Sequence, residues 1–355
     1  MTLPIDLDQP DIYTRLDPSG LCDRIAGLAD QCQQAWQEGQ ALHLPASYGS
    51  ARTIALLGMG GSAIGGDLIA GVAALENGPQ ITTCRSPHLP GWVGPDTMAL
   101  ISSYSGDTEE TLAMYQQAKE RDTHLVALTS GGELARLARQ DGTPCFSIEY
   151  DGEPRSALGY SFVVPLAILC GLGLIPDMST DLAEATQTVR DMAIALGPNT
   201  PRVQNLAKDI ATMLHNRLPI VYGAGFLSSV ARRWKTQLNE NSKVWSFWEE
   251  LPEASHNSVE AFRLHQTVGD QVSVILLHSY FLPTRTTERF QAVEGLLVRG
   301  GIPYRQLDGA GESPLSHLLS TVLLGDYVSY YLAMLNGVDP SPMPIIEDLK
   351  QQSAH

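Results

Sequence analysis

The sequence predicts an α/β protein made of two similar halves, each a parallel sheet covered by helices on both faces. Two observations carry this. Buried strand-like runs alternate with helix-like runs, the order that a parallel sheet requires. The succession of elements in residues 53–150 is then echoed in 217–337, beyond the break "GPNTP" at 197–201. The domains are expected at 1–197, an N-terminal helix plus the first domain, and 198–355, the second domain with a C-terminal helical segment. A length of 355 residues suits two domains better than one.

Taken in order, residues 20–40 space their apolar positions as one amphipathic helix. "TIALLGMGGSAIGGDLIAGVAAL" (53–75) reads as strand, glycine turn and small-residue helix. "TMALISSYSGDTEETLAMYQQAKERD" (97–122) and "HLVALTSGGELARLARQDG" (124–142) repeat the unit, and "PCFSIEY" (144–150) adds a short strand. "FVVPLAILCGLGLIP" (162–176) is too short for a membrane span and reads as a buried helix. In the second half, strands open "RLPIVYGAGFLSSVARRWKTQLNEN" (217–241), "DQVSVILLHSYFLPTRTTERFQAVEGLLVRGG" (270–301) and "IPYRQLDGAG" (302–311). "SPLSHLLSTVLLGDYVSYYLAMLNG" (313–337) is a long apolar helix or a pair.

Composition bounds the function. With 43% hydrophobic and 17% charged residues the chain is ordinary globular protein, and a formal net charge of −16 argues against a nucleic-acid or anionic-membrane partner. Small anions remain possible substrates, because a nest of backbone amides binds phosphate even in an acidic protein. The five cysteines are scattered without CxxC spacing, so reduced thiols and a cytoplasmic location are expected. The N-terminal twenty residues are acidic and have no apolar core of a signal peptide. His215, His265, His278 and His317 show no metal-type spacing, and no metal or cofactor is assigned.

Five stretches carry chemistry. "SSYSGDTEET" (102–111) lies between a strand and a helix, where open α/β sheets bind ligands and unpaired amides favour an anion. Ser103, Ser105 and Thr108 would face the ligand, while Asp107, Glu109 and Glu110 fill the first helical turn and complement the dipole. The plainer alternative is an N-cap by Thr108 or Ser105 with nothing bound. "GMGGSAIGGD" (58–67) offers backbone approach to a ligand with Gly61 and Ser62, or else only tight helix–sheet packing. Arg155, in "GEPRSALGYSF", suits a developing oxyanion, or else a surface or salt-bridge residue. Glu240 in "NENSK" suits a proton shuttle, and His256 in "ASHNS" moves protons near neutral pH. Each also fits a plain helix end or cap. Trp245 and Trp248 suit packing or an interface, and Lys350 sits on an ordinary amphipathic C-terminal helix.

Together "LGMGGSAIGGDL", "SYSGDTEET", "EPRSALGYSF", "RWKTQLNENSK", "PEASHN" and "DPSPMPIIEDLK" resemble the bifunctional phosphoglucose/phosphomannose isomerases of archaea and bacteria, from about residue 50 to the end. The resemblance implies two sugar-isomerase (SIS) domains of the phosphoglucose isomerase superfamily. It implies metal-free interconversion of glucose 6-phosphate and mannose 6-phosphate with fructose 6-phosphate. On that pattern Ser62, Ser103, Ser105 and Thr108 hold the phosphate, with Gly61 beside them. Glu240 moves the proton between C1 and C2, Arg155 stabilises the cis-enediolate, and Lys350 stands near the ring oxygen. His256 opens the ring and comes from the neighbouring subunit of a homodimer. Asp107 departs from the asparagine expected in many relatives.

Other readings stay open. Another SIS-type aldose–ketose isomerase would act on a different phosphosugar. A non-catalytic phosphosugar sensor has no use for Glu240 with His256 and would carry a basic DNA-binding face. A dinucleotide oxidoreductase needs a ribose-binding acid after the second strand.

Overall fold

The computed structural model describes residues 5–263 and 269–353. The chain forms two compact units, neither continuous in sequence. One comprises Gly27–Val189 with Gly311–Leu319; the other comprises Met1–Ala26, Arg190–Ala310 and Ser320–His355.

The first unit holds a five-stranded parallel sheet. Its strands are β1 (Thr53–Gly58), β2 (Gln80–Cys84), β3 (Thr97–Ser102), β4 (His124–Thr129) and β5 (Cys145–Ser147), in the order β2-β1-β3-β4-β5. The three central strands are buried along almost their whole length, which is why they read as unbroken apolar runs. Edge strand β2, "QITTC", is half-exposed and polar, and sequence patterning does not reveal it. Helices Glu109–Glu120 and Gly132–Asp141 pack Met114, Tyr115 and Leu134 against Ala99, Ile101 and Ala127 of the sheet. The apolar run near 162 is buried as expected, opening with a π-helical turn, Gly159–Val163, and continuing as helix Val164–Gly171.

The second unit repeats the plan with four parallel strands: β6 (Leu218–Ala224), β7 (Phe247–Leu251), β8 (Val272–His278) and β9 (Tyr304–Asp308), in the order β7-β6-β8-β9. Strand β7, "FWEEL", is again an edge strand with partly exposed positions that the polar surroundings conceal in the sequence. It occupies the place of β2. The run 313–337 is one helix, Pro314–Leu335, rather than a pair. By length and composition it could cross a membrane, but 94% of its apolar window is buried, as in a core helix.

The expected single helix over 20–40 is two helices, Leu21–Ala26 and Leu28–Ala41, interrupted at Gly27. They belong to different units. The N-terminal segment is anchored to the second unit by Asp8, which accepts from the buried Lys208 ammonium at 3.1 Å and from the Arg202 amide at 2.8 Å. The Lys208 ammonium also stands over the rings of Tyr13 and Tyr331, at 5.7 and 5.6 Å from their centroids.

Candidate anion-binding and proton-transfer sites

In the first sheet the chain runs from β1 outward to β2 on one side and from β3 to β4 on the other. The crevice at the carboxyl ends of β1 and β3 is therefore the topological switch point, where such sheets bind ligands. Gly58 and Ser102 are paired in register at that end, so both loops leave the sheet side by side. Each runs directly into a helix, Gly60–Ala73 or Glu109–Glu120. The Tyr104 amide donates to Ser62 Oγ at 3.2 Å and ties the two helix starts together. The amides of Gly60, Gly61, Thr108, Glu109 and Glu110 have no partner among the described residues. Two adjoining helix N-termini with unpaired amides suit an anion.

The hydroxyls divide their work. Ser103 is buried at 2% exposure; its Oγ donates to Thr108 Oγ1 at 3.1 Å and accepts the Gly106 amide at 3.1 Å. It therefore shapes the loop and polarises Thr108, whose own hydroxyl hydrogen stays available. Ser105 is exposed and accepts the Asp107 amide at 3.3 Å. Thr108 does stand at the N-cap position, yet its side chain makes no capping bond to its helix. The N-cap alternative for these hydroxyls is thus not what the loop uses them for.

Asp107 corrects the sequence reading. The helix begins at Glu109, so Asp107 lies before it and not in its first turn. Its carboxylate instead accepts the Glu133 amide at 2.9 Å and caps the next helix, Gly132–Asp141. Gly106, at φ +76°, makes this possible: a Cβ there would run into the Gly131 carbonyl. Glu109 and Glu110 do lie in the first turn, as expected.

The glycines of 58–67 are largely consumed by packing. A Cβ on Gly65 would strike the Ser161 carbonyl and come 2.9 Å from the Phe162 nitrogen. One on Gly61 would lie 3.0 Å from the Pro154 carbonyl oxygen and 3.2 Å from Arg155 Cα. The helix start that carries Gly61 and Ser62 thus rests directly on the Arg155 turn. Arg155 is only 3% exposed, so the surface alternative does not hold. Gln31, which the sequence did not single out, steadies this turn by donating to the Ser156 carbonyl at 3.0 Å and accepting the Gly159 amide at 2.5 Å.

In the second unit Glu240 is the last residue of helix Ser228–Glu240. The next residues are held firmly. Asn241 donates to Ser329 Oγ at 2.9 Å and Ser242 to the Ser329 carbonyl at 2.6 Å. Lys243, at φ +57°, donates to the carbonyls of Glu240, Pro340 and Pro342 at 2.5, 3.2 and 2.7 Å. A cavity of about 630 Å³ opens beside Glu240, with Lys243, Trp245, Phe247, Met343 and Ile345 in its wall. Trp245 is 80% exposed and meets Phe247 edge-on, while Trp248 lies half-buried on β7.

His256 ends a 3-10 turn, Glu253–His256, and is exposed with no hydrogen-bond partner among the described residues. Ser255 donates to the Pro252 carbonyl at 2.8 Å, and Asn257 accepts the Ser258 amide at 2.6 Å. Lys350 lies on helix Pro344–Ser353, exposed. It is not in the wall of the cavity beside Glu240. Among the described residues no three His, Cys, Asp or Glu side chains cluster with metal-binding geometry; His265 lies outside them.

The second sheet has its own switch point, between β6 and β8. There the loops carry Phe226, Leu227 and Leu282, all buried, and a Cβ on Gly225 would sit 3.1 Å from Leu282. The buried hydroxyls of Ser228 and Ser279 stand at the same two loops, and Ser279 Oγ accepts the Phe281 amide at 3.1 Å.

The chain is similar to known proteins in sequence and in fold. Residues 203–352 match the family described as bacterial phospho-glucose isomerase C-terminal SIS domain. The chain is 33% identical over 333 residues to a bifunctional phosphoglucose/phosphomannose isomerase of Caldicellulosiruptor bescii, covering 94% of this chain and 98% of that protein. It is 30% identical to one of the same description from Thermoplasma acidophilum, covering 92% and 99%. In fold it is similar to a tagatose-6-phosphate ketose/aldose isomerase from Escherichia coli, with TM-score 0.70, 16% identity, and coverage of 90% and 93%.

Proposed function

Because the chain belongs to the bifunctional phosphoglucose/phosphomannose isomerase family, we propose that it interconverts glucose 6-phosphate and mannose 6-phosphate with fructose 6-phosphate through a cis-enediolate. The observation that carries this reading is the Tyr104–Ser62 hydrogen bond. It sets two amide-bearing helix starts and the Thr108 hydroxyl around one switch point. A phosphate dianion suits such a cradle.

In this reading Ser62, Ser105, Thr108 and the Gly61 amide hold the phosphate, with Ser103 behind Thr108. A C–H beside a carbonyl is a weak acid, so enolisation needs a positioned base and a cation for the enediolate oxygen. Glu240 is the base, and Arg155 is the cation. Lys350 serves the ring-oxygen end. A single carboxylate reaching a planar enediol yields both epimers if the intermediate turns about C2–C3. No step calls for a metal or cofactor. His256 opens the ring from a second copy of the chain, in a homodimer; its exposure and lack of partners among the described residues fit that role. The enzyme would act in the cytoplasm, in glycolysis or gluconeogenesis, away from nucleic acid and membrane.

The test is a coupled assay on EDTA-treated protein supplied with fructose 6-phosphate, reading glucose 6-phosphate and mannose 6-phosphate separately. Both products are expected. Glucose 6-phosphate alone removes the second activity, and neither product removes the isomerase reading.

A further inference from the structure

We propose that Asp326 is a positioning residue for proton transfer, setting the helix turn that carries Glu240 without touching substrate. The proposal rests on Glu240 being the base.

Helix Pro314–Leu335 is apolar throughout except for a few polar residues, and Asp326 is its only formal negative charge. It is 5% exposed. Its carboxylate accepts from Arg233 Nη2 at 3.1 and 2.8 Å through its two oxygens, and from Gln237 Nε2 at 2.9 Å. The Asp326 carbonyl accepts Ser329 Oγ at 2.8 Å, and Ser329 in turn receives Asn241 and Ser242. Arg233, Gln237 and Asn241 are spaced four apart, so they form one stripe along helix Ser228–Glu240 that ends beside Glu240. All three are buried at 3% exposure or less.

Such a network is a poor way to gain stability. A buried ion pair often does no better than apolar residues of equal volume. What it supplies is register. Apolar side chains would let the two helices slide or rotate against each other. A carboxylate shared by Arg233 and Gln237, with Ser329 anchoring the next turn, fixes both rotation and axial position. A general base needs that, because it must lie within hydrogen-bond reach of the proton it takes, and a misplacement of about 1 Å costs on the order of 100-fold in rate.

The test is kinetic, with Asp326→Asn and, separately, Ser329→Ala, each checked for folding by circular dichroism. Both are expected to lower kcat by about 10–100-fold with KM for fructose 6-phosphate nearly unchanged. In a Glu240→Gln background neither should lower residual turnover further, since the group they position is gone. A folded variant pair with wild-type kcat overturns the proposal, as does a loss that multiplies with that of Glu240→Gln or appears mainly in KM. If Asp326→Asn does not fold, Ser329→Ala alone decides. Full activity in Glu240→Gln by itself would instead remove the reading of Glu240 as base.

Discussion

Asp107 Oδ1 accepts the Glu133 amide at 2.9 Å, across from one helix start to the next. The acid beside the candidate anion site is therefore a cap for a neighbouring helix. Its negative charge is directed at the amide end of Gly132–Asp141, where it complements the dipole. Asp107→Asn keeps an oxygen acceptor there and should change phosphate affinity little. Asp107→Ala loses the cap and should cost about 1 kcal/mol of stability. Urea titration and phosphate binding by calorimetry check both. A large gain in phosphate affinity in either variant would show that the charge opposes the ligand after all.

Gly61 and Gly65 lie one helical turn apart and make different demands. A Cβ at Gly65 meets backbone, the Ser161 carbonyl, which cannot move alone. Gly65→Ala should destabilise the fold by about 1–3 kcal/mol, the cost of overpacking. At Gly61 the added carbon presses on Pro154 and Arg155 at 3.0–3.2 Å, contacts that a few tenths of an ångström relieve. Gly61→Ala should therefore fold, with the Arg155 turn displaced and kcat reduced on the order of tenfold. Thermal melts and steady-state kinetics on the two variants separate these outcomes; equal effects on both quantities would contradict the distinction.

The same physics explains what the sequence shows and conceals. The central strands β1, β3, β4, β6 and β8 are buried on both faces, and their apolar runs mark them. Edge strands β2 and β7 face solvent along one side and carry polar residues, so nothing in their pattern sets them apart from loops. The serine–threonine loop is visible as a motif. That Ser103 serves Thr108, and that Asp107 serves another helix, depends on neighbours far along the chain. Asp326 had a signal, a lone acid in an apolar run, but its partners Arg233 and Gln237 lie about ninety residues away.

Glu240 and Arg155 have separable roles in the proposed chemistry. Glu240→Gln keeps shape and hydrogen bonding but cannot take a proton. Turnover should fall by about 10²–10⁴-fold while sugar-phosphate binding stays nearly intact. Arg155→Ala should lower kcat more than affinity, because an enediolate charge exists only along the reaction path. Steady-state kinetics with calorimetric binding checks both. Substantial turnover in Glu240→Gln would remove it as the base, and a loss confined to affinity would make Arg155 a binding residue only.

Glu184 gives the first unit a pH dependence. Burial pushes its carboxyl up, but donors outweigh burial, and the group lies below the usual carboxylate range. The donors are the Ser313 hydroxyl at 2.7 Å, the Glu312 amide at 3.0 Å and the Thr188 hydroxyl at 3.1 Å, with Ser316 adding to them. A depressed folded pKa means that the folded state holds its carboxylate where the unfolded chain already binds a proton. The contribution is then complete above the ordinary carboxylate pKa and is lost as pH falls through the lower, folded value. Glu184→Gln should thus lower the melting temperature at neutral pH, and the gap to wild type should narrow on acidification below about pH 4. Melting curves of both proteins between neutral and acid pH measure it. A gap that stays constant or widens toward acid would show that the carboxylate charge is not what holds residues 311–319 to helix Ser179–Leu196.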